Sequence, residues 1–154
     1  MELEQNAIIK KLQFKDRGQQ VLILNSPLEF EGIIKSFSGE VHKEVKNDHE
    51  YEFIQVFATT NEELKSLALK AEHVLKEDGL FWLCYPKKTS KTYKGSNCSR
   101  ETVGAALAEI GYEPVRQVAI DEDWSALRFR KVENIKKMIR KFAVTEQGKQ
   151  RIDE

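Results

Sequence analysis

Tyr51-Glu52-Phe53-Ile54-Gln55-Val56-Phe57 and Leu80-Phe81-Trp82-Leu83-Cys84-Tyr85 flank a capped amphipathic segment, and the reading of these three pieces decides the fold. The two flanking runs are short and apolar, as expected of strands covered on both faces. Between them, Thr60 with Glu63 three residues on makes a capping box. Leu64, Leu67, Ala68, Ala71, Val74 and Leu75 recur at the spacing of one helical face. Gly79 follows as a left-handed C′ residue. A strand, a helix and a second strand of this kind close as a right-handed βαβ crossover in a parallel sheet. Phe53, Leu67, Val74 and Trp82 should then be buried, and Leu67→Ala should cost about 2–5 kcal/mol.

Working outward, Ala7-Ile8-Ile9 with Leu12 and Phe14 predicts a short N-terminal helix ending near Gly18. Val21-Leu22-Ile23-Leu24 is a buried first strand. Asn25-Ser26-Pro27 breaks it; Ser26 is a capping residue and Pro27 suits a first helical position, so Leu28 to Phe37 reads as a short helix. Residues 38–50 form a loop with one edge strand. Residues 87–96 are an exposed, Lys-rich loop, and Ser99 caps a second helix carrying Val103, Ala106, Leu107 and Ile110, closed by Gly111. Val115 to Ile120 and Trp124 to Arg130 are strands joined by Asp121-Glu122-Asp123, an antiparallel hairpin. Ser125, Leu127 and Phe129 share one face of its second strand, with Trp124, Ala126, Arg128 and Arg130 on the other. Ile135, Met138, Ile139 and Phe142 predict a terminal helix able to dock on the sheet or on a second copy of the chain. The expectation is one α/β domain over residues 1–144, a three-layer Rossmann-like structure with a mostly parallel sheet and a C-terminal antiparallel hairpin. Residues 145–154 are a polar, frayed tail.

Bulk properties narrow the function. The chain has 154 residues, 40% of them hydrophobic, enough for one core. Lys+Arg and Asp+Glu both number 25, so net charge gives no reason to expect a polyanionic partner. The apolar runs are too short for a membrane span, the N-terminus lacks a signal-peptide pattern, and two cysteines make no disulfide framework. A reducing cytoplasm is the simplest setting.

Three strings carry a resemblance: Val21 to Pro27 with Phe30, Leu80 to Lys88, and Val118-Ala119-Ile120-Asp121-Glu122-Asp123-Trp124-Ser125-Ala126-Leu127-Arg128-Phe129. Together they look like a small bacterial family of unknown function related to the class I, Rossmann-like methyltransferase fold. The resemblance implies that fold and no particular activity. In methyltransferases the first strand runs into a glycine-rich turn whose amides approach the cofactor. Here Asn25-Ser26-Pro27-Leu28-Glu29 follows, with no glycine before Gly32 and a proline where a donor is wanted. No acidic residue sits at the end of a second strand to hold a ribose. The expectation is therefore a non-catalytic binding or interaction module with no cofactor. The competing expectation is an S-adenosylmethionine-dependent enzyme with a rebuilt site.

Two stretches are candidate ligand sites. Lys87, Lys88 and Lys91 follow a strand's carboxyl end, where open α/β sheets place ligands, and the helix start at Ser99 favours anions. A small anionic ligand is the partner this predicts; an ordinary basic loop is the alternative. Asp121, Glu122 and Asp123 beside Trp124 form an acidic strand-end cluster, against which stands a solvated hairpin turn under an aromatic lid. His42 and His49 lack a fixed ligand set for a metal. Cys98, before a helix start and beside Arg100, has the setting for a lowered thiol pKa, with an inert thiol as the alternative.

Overall fold

The computed structural model describes residues 6–135. The N-terminal helix is α1, Ala7–Lys11, capped by Asn6, whose side chain accepts from the amides of Ile8 and Ile9. It ends earlier than Gly18, because Gln13 turns the chain with a left-handed φ of 63°. Ile9, Leu12 and Phe14 are buried as the spacing requires. β1 follows at Val21–Leu24. Next come a 3-10 turn at Leu28–Phe30 and one turn of helix, α2, at Glu31–Ile34. Pro27, not Ser26, occupies the capping position, and no side chain caps the turn.

The edge strand within residues 38–50 is β2, Val41–His42. β3 is Tyr51–Phe57, and α3, Asn61–Ala71, starts at Thr60, whose side chain accepts from the Glu63 amide. α3 stops before the expected end. Glu72–Val74 is a 3-10 turn, and β4 begins at Leu75 and runs to Pro86. Tyr51 pairs with Leu75 but Phe53 with Leu80, so Lys76 to Gly79 bulge out of the ladder. Asp78, rather than Gly79, takes the left-handed conformation. Gly79 is needed for space: a Cβ there would stand 2.9 Å from the Leu75 side chain and 3.2 Å from the Glu52 carbonyl oxygen. Leu67 is only half-buried, while Phe53, Val74 and Trp82 are buried as expected.

α4, Arg100–Gly104, begins at the Ser99 cap, and Gly111 (φ 83°) ends the following 3-10 turn. Ile110, placed on the apolar face by its spacing, is exposed. β5 (Tyr112–Ala119) and β6 (Trp124–Lys131) form the hairpin. The sheet order is β2-β1-β3-β4-β6-β5, with the first four strands parallel and β6 antiparallel to both neighbours. This is a Rossmann-like α/β fold with a mostly parallel six-stranded sheet and antiparallel strands at one end.

Strand alternation sorts the apolar side chains into two layers. Leu22, Ile54, Val56, Phe81, Leu83 and Leu127 face α3 and α4, and pack on Leu64, Ala68 and Val103. Val21, Ile23, Phe53, Phe57, Trp82 and Ala126 face α1 and α2, and pack on Ile9, Leu12, Phe30 and Ile34. The Trp82 indole donates to the Leu12 carbonyl oxygen at 3.0 Å, tying the end of α1 to the middle of the sheet. The face assignment for β6 holds, with Leu127 and Phe129 in one layer and Trp124 and Ala126 in the other. The expected terminal helix begins at Val132, with Ile135 half-buried, while Met138, Ile139, Phe142, the boundary at 144 and the tail lie outside the described residues.

The carboxyl edge of the sheet as candidate functional site

From β1 the chain crosses to β2 on one side and then to β3 on the other, so the sheet's switch point lies between the carboxyl ends of β1 and β3. Open α/β sheets bind ligands in the crevice just beyond such a point. Here Asn25 turns the chain with φ 59°, and its side-chain amide donates to the Phe57 carbonyl oxygen at 2.8 Å. The turn thus gets its left-handed residue from asparagine, and stitches the two strand ends together with it. After β2, at the position where a ribose-binding acid is found in dinucleotide folds, stands Lys43. Its ammonium is 3.1 Å from the Glu31 carboxylate.

Four aromatic rings close the space beyond β3. Phe30 and Phe57 have centroids 4.9 Å apart, Phe57 and Trp124 5.2 Å, and Tyr93 and Trp124 4.9 Å. Glu29 clasps them: its Oε2 accepts from the Tyr93 hydroxyl at 2.5 Å and from the Trp124 indole at 3.0 Å. These bonds, the Tyr93 one foremost, hold the Glu29 carboxyl below its ordinary pKa against the opposing effect of burial. Burial, then the neighbouring Glu29, pushes the Tyr93 phenol up to about 12.

The candidate acidic cluster is mostly hairpin architecture. Asp121 Oδ1 accepts from the amides of Asp123 and Trp124, both at 2.8 Å, which shapes the turn. Glu122 is exposed. Asp123, the third acid of the cluster, ties the hairpin to the basic loop. Its carbonyl oxygen accepts from the Lys87 amide, and its Oδ1 from the hydroxyl of buried Ser90 at 2.8 Å. Ser90 Oγ also accepts from the Tyr93 amide. The loop exposes Lys88, Lys91 and Lys94, with Lys87 half-buried, yet its backbone is anchored at Lys87 and Ser90.

Lys87, Lys88 and Ser99 come together as the spacing proposed, lining a hollow of about 370 Å³ with Arg100, Tyr85 and Ser125. Lys91 is exposed and does not line it. The helix contributes differently from expectation. α4 has five residues, and its first amides are spent in a closed capping box between Ser99 and Thr102. The hollow's positive character therefore rests on side chains, and Glu101 in the same lining offsets part of it.

Neither thiol is set up as a nucleophile. Burial raises Cys98, reversing the lowering its neighbours suggested, and takes Cys84 up to about 12. His42, in the edge strand β2, meets Tyr51 edge-on, and His49 stacks on the same ring. Among the described residues no group of three or more His, Cys, Asp or Glu side chains is placed to hold a metal ion. No helix among them is long and apolar enough to cross a membrane.

A SAM-dependent methyltransferase from Aquifex aeolicus superposes with a TM-score of 0.59 at 16% identity, over 79% of this chain and 86% of that one. The fold is that of the class I methyltransferase-like domains. A Streptococcus mutans protein described as a SAM-dependent methyltransferase superposes with a TM-score of 0.51 at 8% identity. The match takes in 81% of this chain and 47% of that one. At these identities the likeness is one of fold alone. No family model matches the chain, and no curated protein matches it.

What the methyltransferase-like fold leaves to each chain is the furnishing of its strand-end edge. Sequence reading found the lysines, Ser99, Asp121 and Trp124 but missed Glu29 and Tyr93. Glu29 lies 64 residues from Tyr93 and 95 from Trp124, so no local pattern links them.

Proposed function

We propose that this chain is a non-catalytic binding module that retains the methyltransferase-like sheet but not the cofactor crevice. The observation that carries the reading is the Glu29 clasp, which holds Tyr93 and Trp124 across the edge beyond β1 and β3. The residues there do not suit S-adenosylmethionine. Pro27 has no amide to offer. Lys43 stands in place of a ribose-binding acid, and a carboxylate and four rings fill the strand-end space beyond β3. The ligand in this reading is a small anion in the hollow of Lys87, Lys88 and Arg100, with the Ser125 and Tyr85 side chains beside it. Exposed cations contribute little in open water, so binding should be weak and sensitive to salt.

The alternative, an enzyme with a rebuilt site, has the fold of the Aquifex aeolicus methyltransferase in its favour. Calorimetric titration separates the two. S-adenosylmethionine and S-adenosylhomocysteine should give no saturable heat, while phosphate at low salt should raise the melting temperature. Lys87→Ala with Lys88→Ala should remove that rise. Micromolar, saturable binding of S-adenosylmethionine overturns the non-catalytic reading. An undiminished phosphate effect in the double variant overturns the anion site.

A further inference from the structure

A second cationic hollow lies at the other end of the sheet, on the α1 side. It measures about 710 Å³ and is lined by Lys10, Lys15, Arg17 and Arg128 over the apolar side chains of Phe14 and Leu80. Arg128 sits in β6 directly opposite Arg116 of β5, and two residues from Arg130. Like charges placed opposite one another across an antiparallel pair are destabilising. Nearby acids relieve this arrangement only in part, Asp78 acting on Arg128 against its two arginine neighbours. Asp78 is taken by Arg130, with contacts of 2.9 and 2.6 Å, and Glu52 by Arg17, at 3.1 Å to both oxygens. Asp16 lines the hollow, but its carboxylate accepts from the amides of Gly18 and Ser38. Among the described residues, Lys10, Lys15 and Arg128 have no ion-pair partner. Also among the described residues, the Arg128 side chain hydrogen-bonds through Nη1 to Gln13 Oε1 at 3.1 Å, and its Nε is buried without an acceptor.

A guanidinium taken partly out of water, crowded by two others and short of acceptors, is an arrangement whose cost a bound anion removes. Burial and the charges of Arg130 and Arg116 lower the Arg128 pKa accordingly. The planar fork of arginine suits oxyanions that present a pair of oxygens, phosphate among them, and two flanking ammonium groups call for more than one negative charge. The hollow's size falls in the range of small-molecule sites.

We propose that this hollow binds an oligophosphate chain, seated on Arg128 between Lys10 and Lys15. It is independent of the Lys87 hollow, being at the opposite end of the sheet and on its other face. The chain is either free or carried by a nucleotide, whose base would lie over Leu80.

The experiment is calorimetric titration of the full chain with tripolyphosphate, ATP and AMP at low salt and at about 0.15 M ionic strength. Tripolyphosphate should bind saturably at low salt and more weakly as salt rises, and AMP should bind less well than either triphosphate. Arg128→Met and, separately, Lys10→Ala with Lys15→Ala should each weaken tripolyphosphate at least about 10-fold, the scale of a charged hydrogen bond. Lys87→Ala with Lys88→Ala should leave it unchanged, so that failure here and failure of the small-anion reading remain separate results. ATP tighter than tripolyphosphate identifies a nucleotide, and equal affinities a free chain. The surface lysine pair keeps the test sound if Arg128→Met fails to fold. Absence of saturable tripolyphosphate binding, or binding unchanged in the lysine variant, overturns the proposal.

Discussion

Trp124→Phe tests the clasp most directly. The indole is 3% exposed and donates to Glu29 Oε2 at 3.0 Å. Exchanging indole for phenyl empties about 40 Å³, which at about 24 cal/mol per Å³ is close to 1 kcal/mol. A hydrogen bond to a charged group is worth about 1.5–3 kcal/mol in general, and roughly 1 here because Glu29 is open to water. The substitution should therefore cost about 2 kcal/mol in urea denaturation followed by circular dichroism, with an unchanged slope. In a double-mutant cycle with Glu29→Gln, the two changes should couple by about 0.5–1 kcal/mol. Acid titration adds a second reading. The folded pKa of Glu29 lies below its ordinary 4.5, so its contribution is complete above that value and fades as pH falls through the folded pKa. The difference between wild type and Glu29→Gln should accordingly shrink below about pH 4.5. A loss under about 0.5 kcal/mol, or additivity within about 0.3, would refute the clasp as a structural tie.

A tight loop and the α3 face give further expectations. Gly39→Ala would put a methyl 2.3 Å from the Gln19 carbonyl oxygen and 2.4 Å from that of Gly18, both backbone atoms. It should cost several kcal/mol, about 3 or more, and lower the melting temperature sharply; a shift within error would mean that this loop gives way freely. Leu64→Ala, at a fully buried position, should cost about 2–5 kcal/mol, whereas half-buried Leu67→Ala should cost about half as much. Equal losses would mean that the α3 face is misassigned.

The strands were legible because β1, β3 and β4 are apolar on both sides, and a sheet covered twice writes that directly into sequence. The end of α3 was not. Val74 and Leu75 continue the helical spacing, yet they enter the same core from a 3-10 turn and from the first residue of β4. Glycine at 79 signalled a close approach to Leu75 and Glu52 rather than a change of handedness. The basic hollow was half legible: local spacing gave Lys87, Lys88 and Ser99, but side chains rather than helix amides supply the charge. The clasp and the Arg128 hollow depend on tertiary pairing across most of the chain, which periodicity does not carry.

The sheet's two margins also bear on how copies of the chain meet. One is β2, which offers two residues. The other is β5, where Pro114 lacks a donor, the pairing shifts between Pro114 and Arg116, and Glu113 and Arg116 are exposed. A free strand edge is the usual template for fibrous growth and strand exchange, and short length, proline, a bulge and charge are the features that blunt it. Both rims of this sheet are therefore poor seeds. In crowded solution the native chain should resist stacking edge to edge, so loss of solubility on heating should follow opening of the core rather than precede it.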